Sequence, residues 1–593
     1  MSASYLAGSG AAAEASSPDG ASAAAGRGMP RLLGALAWLA LAAAVVVIAL
    51  IPLVYAVDAQ FYRESRVGLS AERSLAAARD VYLGAEYWGY LFSAMVLAGL
   101  VTLFSLIVGV LLAFLVGRTD LRAKSVWDMA ITLPLYLSPF TGLMAWIALG
   151  SEKTGFVNGV WTGMMRVFTN EPRALINIWS YGGVVFVMFL FFCPFVYLFT
   201  VGSLRAMNGS LEEAARTSGA SPLQTIFKIT LPICSPSILA AGILVFVLAA
   251  ETYTIPGIIG ANAGFTVLPW KIFEDSVAAP VHRAHAAAGG TMLLFVTIAG
   301  VWLQRRMTRV AERFVTVGGK GSQTPPLRLG RWTPAALALI LAYVLAADVL
   351  PFGALLISSL MKYSSGTLTA DIITTHHYRT FFGTQNMQVA LWNTVFLALL
   401  AGVACVLLGF VISLSELRRP NIATKLLAFA SVLPVAVPGL VYGIGLVWTW
   451  LQTPVYGTVW ILLIAYVAKF LPYGVVVSRT GLLQMHPELE ESARVHGAGP
   501  LRTITAITMP ILKPTLMAIL FFVMLMSIKE LSASVLLYTQ DSQVLSVLTW
   551  HYMDAGDYQF AAAIGIVQTL IMIGLVVIVR ALFGVRLESA FSR

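Results

Sequence analysis

Charge is what this sequence has least of. Only 11% of its 593 residues are Asp, Glu, Lys or Arg, against 58% hydrophobic, and the mean hydropathy is +0.83. Soluble chains of this size spend about a quarter of their residues on charge, so a soluble globular protein is excluded. Cysteine is nearly absent. Cys193, Cys234 and Cys405 fall in or beside apolar runs without paired spacing, which excludes a disulfide framework or a zinc ribbon and leaves small packing residues. A phosphate-binding loop is also missing: Gly318-Gly319-Lys320-Gly321 is the nearest stretch. It lacks both the G-x-x-x-x-G-K-[ST] spacing and the terminal hydroxyl. With no nucleophile–base spacing and no soluble domain longer than a linker, the chain reads as a non-enzyme that binds no cofactor of its own.

What is present is a series of apolar runs near 20 residues, the length that crosses a bilayer core of about 30 Å as a helix. The runs are continuous and do not alternate, so barrel strands are excluded. Twelve spans are expected, centred near residues 44, 103, 139, 189, 245, 293, 345, 401, 438, 469, 525 and 571. With a cytoplasmic N-terminus, 25 of the 38 Lys+Arg fall in cytoplasmic segments and 11 in external ones; Lys469 and Lys529 lie within spans. That asymmetry orients the chain with both termini cytoplasmic. It also explains the net charge of +10 without a nucleic-acid partner. The fold class is therefore an all-α polytopic membrane protein, in contact with lipid.

One polar stretch occurs twice. LEEAARTSGASPLQTIFKITLP (211–232) and LEESARVHGAGPLRTITAITMP (489–510) share 14 of 22 positions at an offset of 278. FFCPF (191–195) aligns with KFLPY (469–473) at the same offset, and LPLYLSP at Leu133 resembles LPVAVPG at Leu433. The chain thus reads as two parallel six-helix repeats. The expected parts are a disordered cytoplasmic tail (1–31), a first domain (32–303), a basic cytoplasmic linker (304–331) and a second domain (332–593). Each motif opens with helix formers and meets a glycine, Gly219 or Gly497, suited to the left-handed conformation that ends a helix. Ser221-Pro222 and Gly499-Pro500 then start a second helix. Leu223, Ile226 and Phe227, or Leu501 and Ile504, give that helix an apolar face. Pro232 and Pro510 are expected to interrupt the pattern before the next span. Two such knobs on one side of the membrane point to a partner bound twice.

The pattern Glu213-Ala214-Ala215, Gly219, Ile229, Leu231-Pro232 resembles the signature of permease subunits of binding-protein-dependent ATP-binding-cassette importers. The second copy differs at Ser492 and Met509. The linker (RFVTVGGKG … LRLGRW) and the segment KELSASVLLY resemble the fused two-domain permeases of the ferric-iron, thiamine and 2-aminoethylphosphonate group. The resemblance implies the type I importer permease fold in a bacterial inner membrane. It implies two copies of a separate ATPase subunit carrying ATP and Mg, and a periplasmic or lipid-anchored substrate-binding protein. It also implies that the motifs are coupling helices, with Glu212, Glu213, Ala215, Arg216, Gly219, Pro222 and Pro232 in one copy. The other copy supplies Glu490, Glu491, Ala493, Arg494, Gly497, Pro500 and Pro510. Ferric iron is the expected cargo; thiamine, a phosphonate, a polyamine or another small charged solute is the alternative. A gradient-driven secondary transporter would share the topology and has no use for such knobs.

Ionisable groups inside spans are costly and mark function by default. Glu251, Glu530 and Lys529 are candidate pathway residues; the two glutamates should sit near the external end of their spans, where pinning helix ends is the alternative, and Lys529 should point about 100° away from Glu530. Lys469, opposite Phe191 in the repeat, is either a pathway residue or the structural partner of a carboxylate such as Asp348. Pro194 and Pro472 are candidate hinges. His282-x-x-His285 lacks a carboxylate cluster in sequence and reads as two surface histidines, so no metal site is expected. Asp541, Asp554, Asp557, Glu274 and Asp275 are candidate contacts for the binding protein.

Overall fold

The computed structural model describes residues 38–65, 68–169, 173–207, 210–312, 326–365, 369–486 and 488–583. The expected tail (1–31) and the Gly318–Gly321 stretch lie outside them. Among the described residues, ten continuous helices are long and apolar enough to cross a membrane, and two further pairs of helices bring the number to twelve if each pair is one crossing. The second span of each half, Ala85–Arg118 and Gln385–Arg418, has 34 residues. At 1.5 Å per residue that is about 50 Å, so each projects well beyond the apolar core.

The two bent pairs correct the expectation of plain spans near residues 139 and 438. Lys124–Leu135 meets Pro139–Gly150 at 94°, and Ile422–Ala436 meets Gly439–Trp450 at 117°. In each, a 3-10 turn, Leu133–Tyr136 or Leu433–Ala436, carries a proline at its second position, and Pro139 or Pro438 opens the next helix. Two missing N–H donors within six residues leave the backbone nothing with which to continue the helix.

Prolines elsewhere are absorbed. Four π-helical turns, Val46–Leu50, Ile226–Thr230, Leu345–Val349 and Ile504–Thr508, each stand just before a proline: Pro52, Pro232, Pro351 and Pro510. The wider turn closes by an i→i−5 bond, as from Leu231 N–H to the Ile226 carbonyl, so the helix passes the proline without a break. The expected interruption at Pro232 and Pro510 therefore does not occur. Each knob's second helix runs on into the fifth span, as Leu223–Glu251 and Pro500–Ile528.

The two halves are interlocked. The first span, Trp38–Phe61, packs on Gly439–Trp450 of the other half, and Gly330–Ser359 packs on Pro139–Gly150 in return. Gly445 allows the first contact, since a Cβ there would stand 1.9 Å from the Pro52 carbonyl oxygen. The hydroxyl of Tyr442 donates to the Ile48 carbonyl across the same junction. The repeat offset is 300 at the third span and 278 at the fourth because the connection 151–180 spends 30 residues where 451–458 spends 8. The extra chain includes the helix Phe156–Met165. The helix of the sixth span continues through the expected start of the linker to Glu312. At the linker's other end Leu327 pairs with Thr119, and Leu329 N–H donates to Asp120 Oδ1 at 3.0 Å.

Candidate functional site: two clasped knobs and a charged cluster

Each knob is built as its residues dictate. In the first, the helix Ser210–Thr217 ends at Gly219, whose φ is +84°, and Ala220 N–H closes onto the Ala215 carbonyl at 3.0 Å. Ser221 then caps the next helix reciprocally: its Oγ accepts from Gln224 N–H at 3.3 Å, and its N–H donates to Gln224 Oε1 at 3.0 Å. This is a capping box. The second knob repeats the turn, with Glu488–Val495, Gly497 at φ +82°, and Ala498 N–H on the Ala493 carbonyl at 2.9 Å. Gly499 precedes Pro500–Thr503 without a side-chain cap. The side chains of Arg216 and Pro222 lie outside the described residues.

The four motif glutamates divide into two kinds. Glu212 and Glu490 are buried, at 5% and 4% exposure, and point back into their own half. Glu212 pairs with Arg118, the last residue of the second span, and accepts from Thr230 Oγ1 at 2.7 Å. Glu490 repeats the clasp with Arg418 at 2.9 Å and Thr508 at 3.0 Å, and Arg494 approaches it at 3.6 Å. Each clasp thus ties the first knob helix to the second span and to the π turn of the fifth. Glu213 and Glu491 face outward, as do Gly219, Gly497, Arg494, Pro232, Pro500 and Pro510, while Ala215 and Ala493 are half-buried. Leu223 and Phe227 are 67% and 66% exposed, and Leu501 is 75% exposed. An uncovered apolar ridge beside free carboxylates suits a partner surface. Sequence reasoning missed Arg118, Arg418, Thr230 and Thr508; the visible signal was that all four recur at the repeat offsets.

Toward the other end of the fifth spans lies a charged cluster. Lys469 Nζ contacts Glu530 Oε2 at 2.7 Å, so its partner is Glu530 and the Asp348 pairing does not form. Glu530 Oε1 accepts from Ala533 N–H at 3.0 Å. Lys529 reaches across to the first half, donating to the Leu135 carbonyl at 2.6 Å in the break of the third span. Glu251, half-buried, lies within electrostatic range of Lys469 and Glu530. Gly439 leaves room for the lysine, because a Cβ there would stand 2.5 Å from Nζ. Asp348 is buried in the seventh span's π turn with neither carboxylate oxygen hydrogen-bonded among the described residues. The helices Tyr181–Ala206 and Val459–Gln484 run unbroken through Pro194 and Pro472. The carbonyl that Pro194 leaves free, that of Leu190, accepts from Tyr343 of the seventh span at 2.9 Å.

Three further expectations meet the structure at the side opposite the knobs. Asp275 is buried and bonded to Tyr87 and Lys271, so it is not a surface contact. Asp541, Asp554 and Asp557 are exposed there. His282 and His285 do not stand alone, because Glu64 is brought to both from 218 and 221 residues away.

The chain has relatives among known proteins. The chain is 25% identical over 496 residues to the ferric transport system permease protein FbpB of Actinobacillus pleuropneumoniae, covering 82% of this chain and 69% of that one. It is 26% identical over 558 residues to the probable ABC transporter permease protein y4fN of Sinorhizobium fredii, covering 90% and 94%. A putative 2-aminoethylphosphonate transport system permease protein, PhnV of Salmonella typhimurium, matches over 250 residues at 28%, covering 40% of this chain and 92% of that one. Among solved structures, a bacterial alginate ABC transporter in complex with alginate pentasaccharide-bound periplasmic protein aligns at 19% identity and a TM-score of 0.35. It covers 43% of this chain and 94% of its own. One family matches twice, over residues 103–311 and 405–585, once in each interlocked half: the chain belongs to the binding-protein-dependent transport system inner membrane components.

Proposed function

We propose that this chain is the transmembrane pathway subunit of an ATP-driven importer, taking ligand from an external binding protein and coupling to two ATPase subunits through its two knobs. The observation that carries the reading is the duplicated clasp. A loop lying on lipid has no need of a buried glutamate held from two sides, whereas a knob that transmits force must be rigid with respect to the spans it moves. Glu212 and Glu490 supply that rigidity; Glu213, Glu491 and the exposed Leu223, Phe227 and Leu501 supply the partner's surface. The knobs then lie in the cytoplasm, a placement that the distribution of Lys and Arg supports. The first span and the seventh bind the halves together while the rest of each half follows its own knob. ATP binding and hydrolysis belong to the partner subunits.

Ferric iron is the cargo this reading favours, supported by the likeness to the FbpB ferric transport permeases. The charged cluster favours one second reading. Glu251 and Glu530 stand beside Lys469 and Lys529, a mixed-sign set better matched to a zwitterion such as 2-aminoethylphosphonate than to a bare trivalent cation. Ligand-stimulated ATP hydrolysis by the reconstituted complex, with ferric iron, thiamine, 2-aminoethylphosphonate and putrescine each presented on the cognate binding protein, decides between them. Stimulation by ferric iron alone is the expected result. Stimulation by the phosphonate alone transfers the cargo to the second reading, and failure to assemble with any ATPase overturns the importer.

A further inference from the structure

On the side opposite the knobs a second polar cluster stands apart from the charged cluster. After the first span, a hairpin pairs Tyr62–Ser65 with Gly68–Arg73. It lays Glu64 against the start of the helix Arg283–Glu312. Glu64 Oε2 lies 2.8 Å from His282 Nδ1, and Oε1 lies 2.8 Å from His285 Nδ1. One ligand atom from each of the three residues falls within 4.8 Å of the others. His285 is fixed on its other faces: Tyr87 stacks on the ring at 6.4 Å, and Asp80 Oδ2 lies 3.6 Å from Nε2.

We propose that Glu64, His282 and His285 bind a divalent first-row transition-metal cation, such as Zn²⁺, that clasps the hairpin to the head of the sixth span. Two imidazole Nδ1 atoms converge on the two oxygens of one carboxylate, each at 2.8 Å. Without a metal, protons fill these contacts, each Nδ1–H donating to Glu64. A divalent cation displaces those protons and leaves each neutral imidazole offering its Nδ1 lone pair. The remaining N–H of His285, on Nε2, then points to the side where Asp80 Oδ2 stands at 3.6 Å. Two imidazoles and one carboxylate form a borderline donor set, suited to Zn²⁺, Co²⁺ or Fe²⁺ and poorly suited to Ca²⁺ or Mg²⁺, which take oxygen.

The spacing permits it. Bonds near 2.0–2.1 Å place ligands of a tetrahedral ion roughly 3.4 Å apart, so each 2.8 Å contact opens by about half an ångström. The His282 side chain is 46% exposed, which leaves a coordination position to water. The hairpin also needs such a tie. A lone two-stranded ribbon is marginal in water, and its ion pairs, Arg63–Glu72 and Arg73–Asp58, are largely exposed. The site depends on neither the importer reading nor its cargo.

The test uses the full chain in lipid nanodiscs, purified without a polyhistidine tag, stripped with EDTA and titrated with Co²⁺. The expected result is one Co²⁺ per chain with visible d–d bands, displaced by Zn²⁺ and indifferent to excess Mg²⁺. His282→Ala, at a half-exposed position that tolerates truncation, should weaken binding about 10-fold or more, and His282→Ala/His285→Ala should abolish the bands. Zn²⁺ should raise the Tm of the wild-type chain and leave that of the double variant unmoved. An absence of micromolar binding by the wild-type chain overturns the proposal, as does unchanged stoichiometry and affinity in His282→Ala.

Discussion

Glu212 and Glu213 are neighbours with opposite fates, and the same is true of Glu490 and Glu491. Successive residues on a helix point about 100° apart, so one carboxylate of each pair turns into the protein and the other to solvent. The inward one meets an arginine whose own side chain is only 13% exposed in the first half and 26% in the second. Removing one partner of a buried pair strands the other charge at a cost of about 3–5 kcal/mol, less where water reaches it. Glu212→Gln and Glu490→Gln should therefore loosen the knobs, read as faster protease cleavage after the fourth and tenth spans, with the first half losing more. Glu213→Gln and Glu491→Gln sit on the surface and should change stability by no more than about 0.5 kcal/mol. On the proposed importer reading, their effect should appear instead as lost affinity for the ATPase subunits. Equal protease sensitivity in the two sets would remove the distinction.

At the scale of the element, the knob depends on one backbone conformation in each half. Gly219 and Gly497 have positive φ and nothing within 4 Å of a built Cβ, so a side chain there meets no neighbour and is opposed by the backbone alone. For a β-branched residue that opposition is roughly 1–2 kcal/mol. Gly219→Val/Gly497→Val should insert and purify as the wild type does, yet lose ligand-stimulated ATP hydrolysis; retained stimulation would separate the turn from coupling. This element was legible in the sequence because a polar stretch in an apolar chain appears twice with its glycine and prolines in register. Other elements were hidden for equally physical reasons. A π turn before a proline leaves the hydropathy pattern untouched, so Pro232 looked like a break. The bent third span has a normal total length of apolar residues and looked like a plain crossing. Lys469 was recognisable as a charge out of place, but its partner Glu530 was fixed by packing between spans that no periodicity reports. Glu64 reached His282 through a hairpin more than 200 residues away in sequence.

At the scale of the molecule, the two halves hold each other by exchanged first spans, and this makes the covalent linker dispensable for association. Trp38–Phe61 packs on the second half with Pro52 seated at Gly445, and Gly330–Ser359 packs on the first. The buried core is continuous across the junction, with Val45 and Tyr442 in one cluster with Leu143 and Leu355. Cutting the chain within 313–325 leaves both exchanged helices attached to their own halves, and it spares the Leu327–Thr119 pairing. The cut removes the effective concentration that a tether provides. Two co-expressed fragments, 1–318 and 319–593, should therefore co-purify and restore a substantial fraction of ligand-stimulated ATP hydrolysis. Gly445→Leu places a side chain where the Pro52 carbonyl already stands, so it should abolish co-purification of the fragments while the uncut chain still inserts. Fragments that separate without the linker would mean that the halves are held by their tether and the exchanged spans are incidental. Fragments that associate and then fail on Gly445→Leu would identify the seat of the first span at Gly445 as the contact that holds the two halves together.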